Sequence, residues 1–470
     1  MDRHIDEGME AIYLRLIVSV FGLVILCPWL GTAQIGTRFP SERKIVKDPI
    51  TGIDLVFLTS IPNGDSKIYQ THNQWTADGQ WLIFRSDRVP GEAIAVHEES
   101  GEMVQVTEGG YSGMLNIARN SMHLYFMRRP IRSTIDHDGS MEVVEVDLAR
   151  LFTDSKAGKL REASVYQRIC GITSPEIGAG GDMALDGESE EWVFFRVGKD
   201  AAAKHLPKDT KIEAAFGPRN MGAGPSGIAK MNIRTGEVIH VISVPFQVGH
   251  IQTNPWKAGE IVFCWETGGK SPQRTWTVMA DGTGLRPLYP ESEYEWVTHE
   301  AFLTPDEVGF AVMGHRPVSG LKDSQTPSGT EVGGANPGQE LGWGSSGTRE
   351  KPTGFAVVNL RTREMRIAGQ THRGSGFWHV TGSGDGRWLA GDDFARDIYL
   401  IDRHTHEMVL LSSGHKTTAA DHPHPTFSPD GSRIQIQSAM LSEDNRTMNI
   451  CIIPVPKHWL ERTYSKDLTK

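Results

Sequence analysis

Cysteine is scarce in this 470-residue chain: four in all, Cys27, Cys170, Cys264 and Cys451, with no Cys-x-x-Cys spacing. Cys27 falls in an apolar N-terminal segment, which leaves an odd number, so no disulfide framework is implied. No block dense in lysine and arginine interrupts a formal net charge of −10, and without such cations to set against phosphates a nucleic-acid partner is excluded. There is no Gly-x-Ser-x-Gly elbow and no room for an appended hydrolase domain. Long hydrophobic runs are also missing. The longest, Leu16 to Leu26, is well short of the about 20 residues that cross a bilayer.

That run has another reading. Arg15 precedes it, and Pro28 and the small residues Gly31-Thr32-Ala33 follow, which is the pattern of a signal peptide over 1–33 cleaved after Ala33. Leu26 before Cys27 makes a poor lipobox, and the acidic Asp2 to Glu7 make Met9 an alternative start. The expectation is a secreted or periplasmic protein with no membrane span in its mature chain.

What the chain has in quantity is repetition. A strand, a tight turn and a second strand recur seven times. The turns are at Asp78-Gly79, Asn120-Ser121, Asp186-Gly187, Lys257-Ala258-Gly259, Pro305-Asp306, Asp385-Gly386 and Asp430-Gly431. Each pair leads into a second unit of two strands, as in Ala93 to Val106 around Ser100-Gly101-Glu102 and Ile398 onward around Thr405-His406-Glu407. The seventh, Met448 to Ile453, has no fourth strand after it, while Asp54 to Thr59 has that pattern and no partner before it. Seven four-stranded blades closed by an N-terminal strand predict an all-β, seven-bladed β-propeller occupying 34–470 as a single domain. Two stretches break the rhythm, 198–227 and 318–354; the second, rich in Gly, Ser and Pro, is a mobile lid or a disordered insertion.

Histidines mark the places where innermost strands begin. His72, His250, His299, His379 and His424 stand five to seven residues before the turn of their blades, whereas two blades carry Met114 and Gly180 instead. Strand starts of a propeller share one mouth of the central channel, so these imidazoles and His422 should converge there. In Asp421-His422-Pro423-His424-Pro425 each histidine precedes a proline, which favours extended backbone and predicts side chains projecting side by side. Neutral imidazole is a common ligand of divalent transition metals, so this pair reads as half of a metal site.

Val248-Gly249-His250, Val297-Thr298-His299-Glu300 and Asp421 to Pro425 followed by Phe427-Ser428-Pro429-Asp430-Gly431, in this order and spacing, resemble the oligogalacturonate lyase family. The resemblance is clearest from about Gly227 to Trp459. It implies a seven-bladed propeller that cleaves uronate oligosaccharides by β-elimination with a bound divalent cation: manganese, with zinc, calcium or iron as alternatives. By position it makes His299, His422 and His424 metal ligands and His250 the base for the C5 proton. The family's glutamine ligand is replaced by Ala419, so water, Asp421 or His379 would complete the shell. The family's substrate arginine has no counterpart near Gly227, and Arg219 is the substitute candidate. Arg274, Arg373, Lys270, His72 and Trp378 are further candidates for holding an anionic uronate oligosaccharide. The departures at Ala419 and Gly227 also fit a lyase for another uronate glycan such as ulvan. A non-catalytic binding propeller of the cell envelope is the alternative from outside enzymology.

Overall fold

The computed structural model of the chain describes residues 34–130, 139–217, 219–267, 271–291, 295–314, 354–369 and 377–464. These form seven antiparallel sheets; five are built from four consecutive strands each, and the sheets of blades 1 and 7 also take in strands from the N-terminal region. The inner strands, blade by blade, are Ser66–Lys67, Ser112–Ile117, Met183–Leu185, Val248–Thr253, Glu295–Thr304, Phe377–Gly382 and Thr426–Phe427. This is a seven-bladed all-β propeller, as the repeats predict. No helix among the described residues is long and apolar enough to cross a membrane.

The turn is built the same way in blades 1, 6 and 7. In blade 7 the Asp430 carboxylate accepts hydrogen bonds from Ser428 Oγ (2.6 Å) and the Ser432 amide (3.1 Å), and Gly431 takes a positive φ of 69°. Asp385 and Asp78 repeat the arrangement with Ser383 and Arg387, and with Thr76 and Gln80. Aspartate organises the loop backbone, and glycine alone enters the left-handed region without a Cβ penalty.

Seven clusters of apolar side chains hold the fold, one at each junction between neighbouring blades. Alternate residues of a strand point to opposite faces, so one strand feeds two clusters. Ile83 serves the junction of blades 1 and 2, while Leu82 and Phe84 serve that of blades 7 and 1. In blade 7, Asp54–Phe57 lies beside Asn449–Pro454 with Val56 opposite Ile452 and Phe57 opposite Cys451, and Lys44–Lys47 pairs outside it.

The interruption after residue 197 ends earlier than expected. It holds a short helix, Lys199–Ala203, and the next strand starts at Ala223, so Gly227 lies inside a strand opposite Val197 and Ser243. Of the second interruption, 318–353 lies outside the described residues, as do the segment 1–33, Lys270 and Arg373.

Candidate active site

Bulges in the inner strands create the site. Register slips between Gly249 and Gln252, between Thr298 and Ala301, and between Phe377 and His379. A bulge re-aims a side chain. His250 and His299 sit within theirs at φ 49° and 58°, a conformation that L residues seldom adopt. His424 shares it, at φ 52°. That corrects the expectation of two extended, parallel histidines: His422 and His424 diverge. His424 is held by Gln70 Oε1, 2.8 Å from its Nδ1, and by Asp421 Oδ2, 2.9 Å from its Nε2, and these bonds override the preference imposed by Pro425. In blade 2 the left-handed position is Gly113, where a Cβ would strike the Gly181 carbonyl, so no side chain enters from that side.

One half of the site is a crowd of imidazoles. The His379 ring lies 3.7 Å from that of His424, 4.1 Å from His299 and 5.2 Å from His422, centroid to centroid. Asp392, fully buried, receives the backbone amide of His379 (2.6 Å) and faces Nδ1 of both His379 (3.1 Å) and His422 (3.2 Å). Burial and the neighbouring His424 push His379 down to about 3, and burial with His379 pushes His299 well below its ordinary value. Burial also lowers His422, against the pull of Asp392. Although burial disfavours its charge, Asp392 is held well below the usual carboxylate range by its two histidines. A neutral imidazole whose Nδ1–H donates to a carboxylate presents the lone pair of Nε2, the arrangement that orients metal-bound histidines. His379, Asp392 and His422 also have donor atoms within 4.8 Å of one another, and Nε2 of His299 is buried with no hydrogen-bond partner among the described residues. An orphaned imidazole nitrogen beside two oriented ones fits a divalent transition cation.

The other half is organised for proton transfer. His250 Nε2 faces Glu266 at 3.4 Å and Nδ1 faces Glu300 at 3.5 Å. Arg274 lies across the same carboxylates, 3.3 Å from Glu300 and 3.7 Å from Glu266. Burial opposes a charge on His250, but Glu300 and Glu266 outweigh it and its pKa is raised, so the imidazolium is favoured. Glu300 is lowered to about 2: burial resists, and Arg274 and His250 prevail. His250, Cys264 and Glu300 also lie within ligand distance of one another. That second group does not fit a metal, because Arg274 already supplies the cation and burial pushes the Cys264 thiol well up.

Tyr69 joins the halves. It sits on the segment between Lys67 and Gln74 that interrupts the inner strand of blade 1. Its ring lies 5.1 Å from both His250 and His424, 6.1 Å from His379 and 6.3 Å from His299. Its hydroxyl is 2.5 Å from Nδ1 of His299. Burial and the Glu300 charge raise its pKa well above 10, so it stays a phenol.

The remaining sequence candidates scatter. Trp378 packs on His299 (4.5 Å) and Phe394 (4.8 Å) at the mouth. Arg274 is buried against the glutamates rather than reaching for solvent. Arg219 is exposed, bonded to the Thr267 carbonyl. His72 faces the opposite direction, bonded to the Met183 carbonyl and lining a channel cavity with Asn73, Arg119 and Trp256. At Gly227 a Cβ would come 2.4 Å from the Ile242 carbonyl, so no arginine fits there. Sequence reasoning missed Tyr69, Asp392, Glu266 and Glu300. Only Glu300, next to His299, lay in a stretch already singled out.

Neither a protein-family model nor a curated protein matches the chain. Among solved structures, an oligogalacturonate lyase in complex with manganese superposes with a TM-score of 0.65 at 16% identity, over 91% of this chain and 100% of that one. Oligogalacturonate lyase from Vibrio parahaemolyticus gives the same figures. At that identity the likeness establishes a common propeller architecture along nearly the whole chain.

Proposed function

We propose that the protein is a lyase that cleaves uronate-containing oligosaccharides by metal-assisted β-elimination. The observation that carries this is the juxtaposition, around Tyr69, of neutral imidazoles including the orphaned Nε2 of His299 with a histidine clamped between two carboxylates. The structural likeness to oligogalacturonate lyases supports it.

His299, His379, His422 and His424 would hold the cation, with Asp421 beside His424 as a further ligand and Asp392 orienting two of the rings. When bound, a divalent ion supplies Lewis-acid stabilisation of charge developing on a uronate carboxylate. His250, once neutral, accepts the C5 proton; C4=C5 forms as the C4–O4 bond breaks, and the leaving oxygen takes a proton from solvent water. Glu266 and Glu300 stabilise the imidazolium that results, and Arg274 balances their charge. Tyr69 bonds Nδ1 of His299 and fixes that ring. Trp378 offers an aromatic face to a sugar.

The test is near-ultraviolet absorbance during incubation with oligogalacturonates, with manganese and separately with chelator. A metal-dependent rise that disappears in His250→Ala supports the reading. A bound metal with no rise moves the substrate to another uronate glycan, and no metal with no rise overturns the lyase in favour of a binding propeller.

A further inference from the structure

Arg396 lies at the rim of the histidine cluster and does nothing for the fold that its surroundings reveal. Its Nε and Nη1 are buried and have no hydrogen-bond partner among the described residues. Desolvated donors of that kind are costly unless something completes them. The turn that carries it is firmly built. Asp393 Oδ1 accepts from the amides of Ala395 (2.9 Å) and Asp397 (3.0 Å), the Arg396 amide donates to the Asp393 carbonyl (2.9 Å), and Asp397 Oδ1 accepts from Ser413 Oγ (2.6 Å). Within this frame Arg396 alone takes a positive φ, 69°. A strained residue in an over-determined turn directs its side chain to one place.

That place is the candidate site. Arg396 is felt electrostatically by His422, Asp392 and Asp421, yet no ion pair joins it to either acid. Phe394, two residues earlier in the same turn, packs on Trp378 (4.8 Å) and lies 6.0 Å from His422. A guanidinium with unpartnered donors thus belongs to the turn that packs, through Phe394, against the imidazole cluster. Planar guanidinium donors match a carboxylate.

We propose that Arg396 binds a second carboxylate of the substrate, on the sugar adjoining the one whose carboxylate meets the cation, so that the protein selects uronates on consecutive residues over isolated ones. This rests on the lyase reading of the site.

The experiment is calorimetric titration of manganese-loaded protein with trigalacturonate and with galacturonate, in a His250→Ala background that leaves the trimer uncleaved. Trigalacturonate should bind tenfold or more tightly than galacturonate. Arg396→Gln should abolish that advantage while leaving galacturonate and manganese binding within twofold, and Arg396→Lys should restore part of it. Unchanged trimer binding in Arg396→Gln, or loss of manganese binding in it, overturns the assignment while the lyase reading stands. Manganese binding with no uronate binding in the parent protein overturns both.

Discussion

Nδ1 of His379 and the carboxylate of Asp392 lie 3.1 Å apart in a pocket that admits no water-exposed surface to the acid. The same carboxylate reaches Nδ1 of His422, so a single buried acid sets the tautomer of two rings from different blades. Removing its charge while keeping its shape should therefore act on the metal before it acts on the fold. Asp392→Asn is expected to lower manganese affinity by about 10–100-fold, the usual effect of losing an orienting partner. Titration with the metal alone, followed by circular dichroism, checks both parts.

His250 gives the pH dependence. Its pKa is raised because Glu300 and Glu266 outweigh burial. A base must be unprotonated, so activity should rise with pH along an acid limb whose midpoint lies above 6.5. Glu300→Gln removes the hydrogen-bonding charge, and the limb should move toward lower pH. A limb that stays in place when pH–rate profiles are compared would exclude His250 as the titrating group.

Much of this was legible in advance, and what was not has a common cause. The blades could be counted because Asp-Gly turns and alternating strands are local signals. The histidines could be aligned because each stands five to seven residues before its own turn. Asp392 and Tyr69 act across blades, through contacts with His422 and with His250 and His299, and no spacing within a blade encodes that. His424 went astray for a related reason. The proline rule is local, while the bonds to Gln70 and Asp421 that hold His424 at positive φ belong to the assembled channel. His379 and Asp421, the residues offered in place of the glutamine that Ala419 replaces, both stand against His424, again through contacts that no spacing within a blade encodes.

Arg274 tests whether the proton-transfer half is an electrostatic unit. Its guanidinium sits between Glu300, fully buried, and Glu266. Breaking a buried pair by deleting one partner typically costs about 3–5 kcal/mol, because the abandoned charge stays desolvated. Arg274→Met should lower the urea midpoint accordingly. Pairing it with Glu300→Gln should recover part of the loss, which a double-mutant cycle measures as coupling.

Blade 7 takes the strand Asp54–Phe57 from near the N-terminus. Phe57 is fully buried in the cluster shared by blades 6 and 7, with Trp388, Ile434 and Trp459, and its backbone faces Cys451 across the sheet. Arg88 ties the same N-terminal region to blade 1 through Glu42 (2.7 Å) and Asp65. Because the strand joins residues near 55 to residues near 452, its pairing closes most of the chain into one loop, and a contact of such separation forms late and is lost early. Phe57→Ala should cost about 3–5 kcal/mol, the range for truncating a large core aromatic. The accompanying change should be in cooperativity: with the closing strand loosened, hydrogen exchange in Asn449–Pro454 should quicken more than in Trp192–Val197 on the far side of the ring. Uniform acceleration across both strands would mean that the ring opens only as it unfolds, and that Asp54–Phe57 is no weaker a seam than any other blade junction.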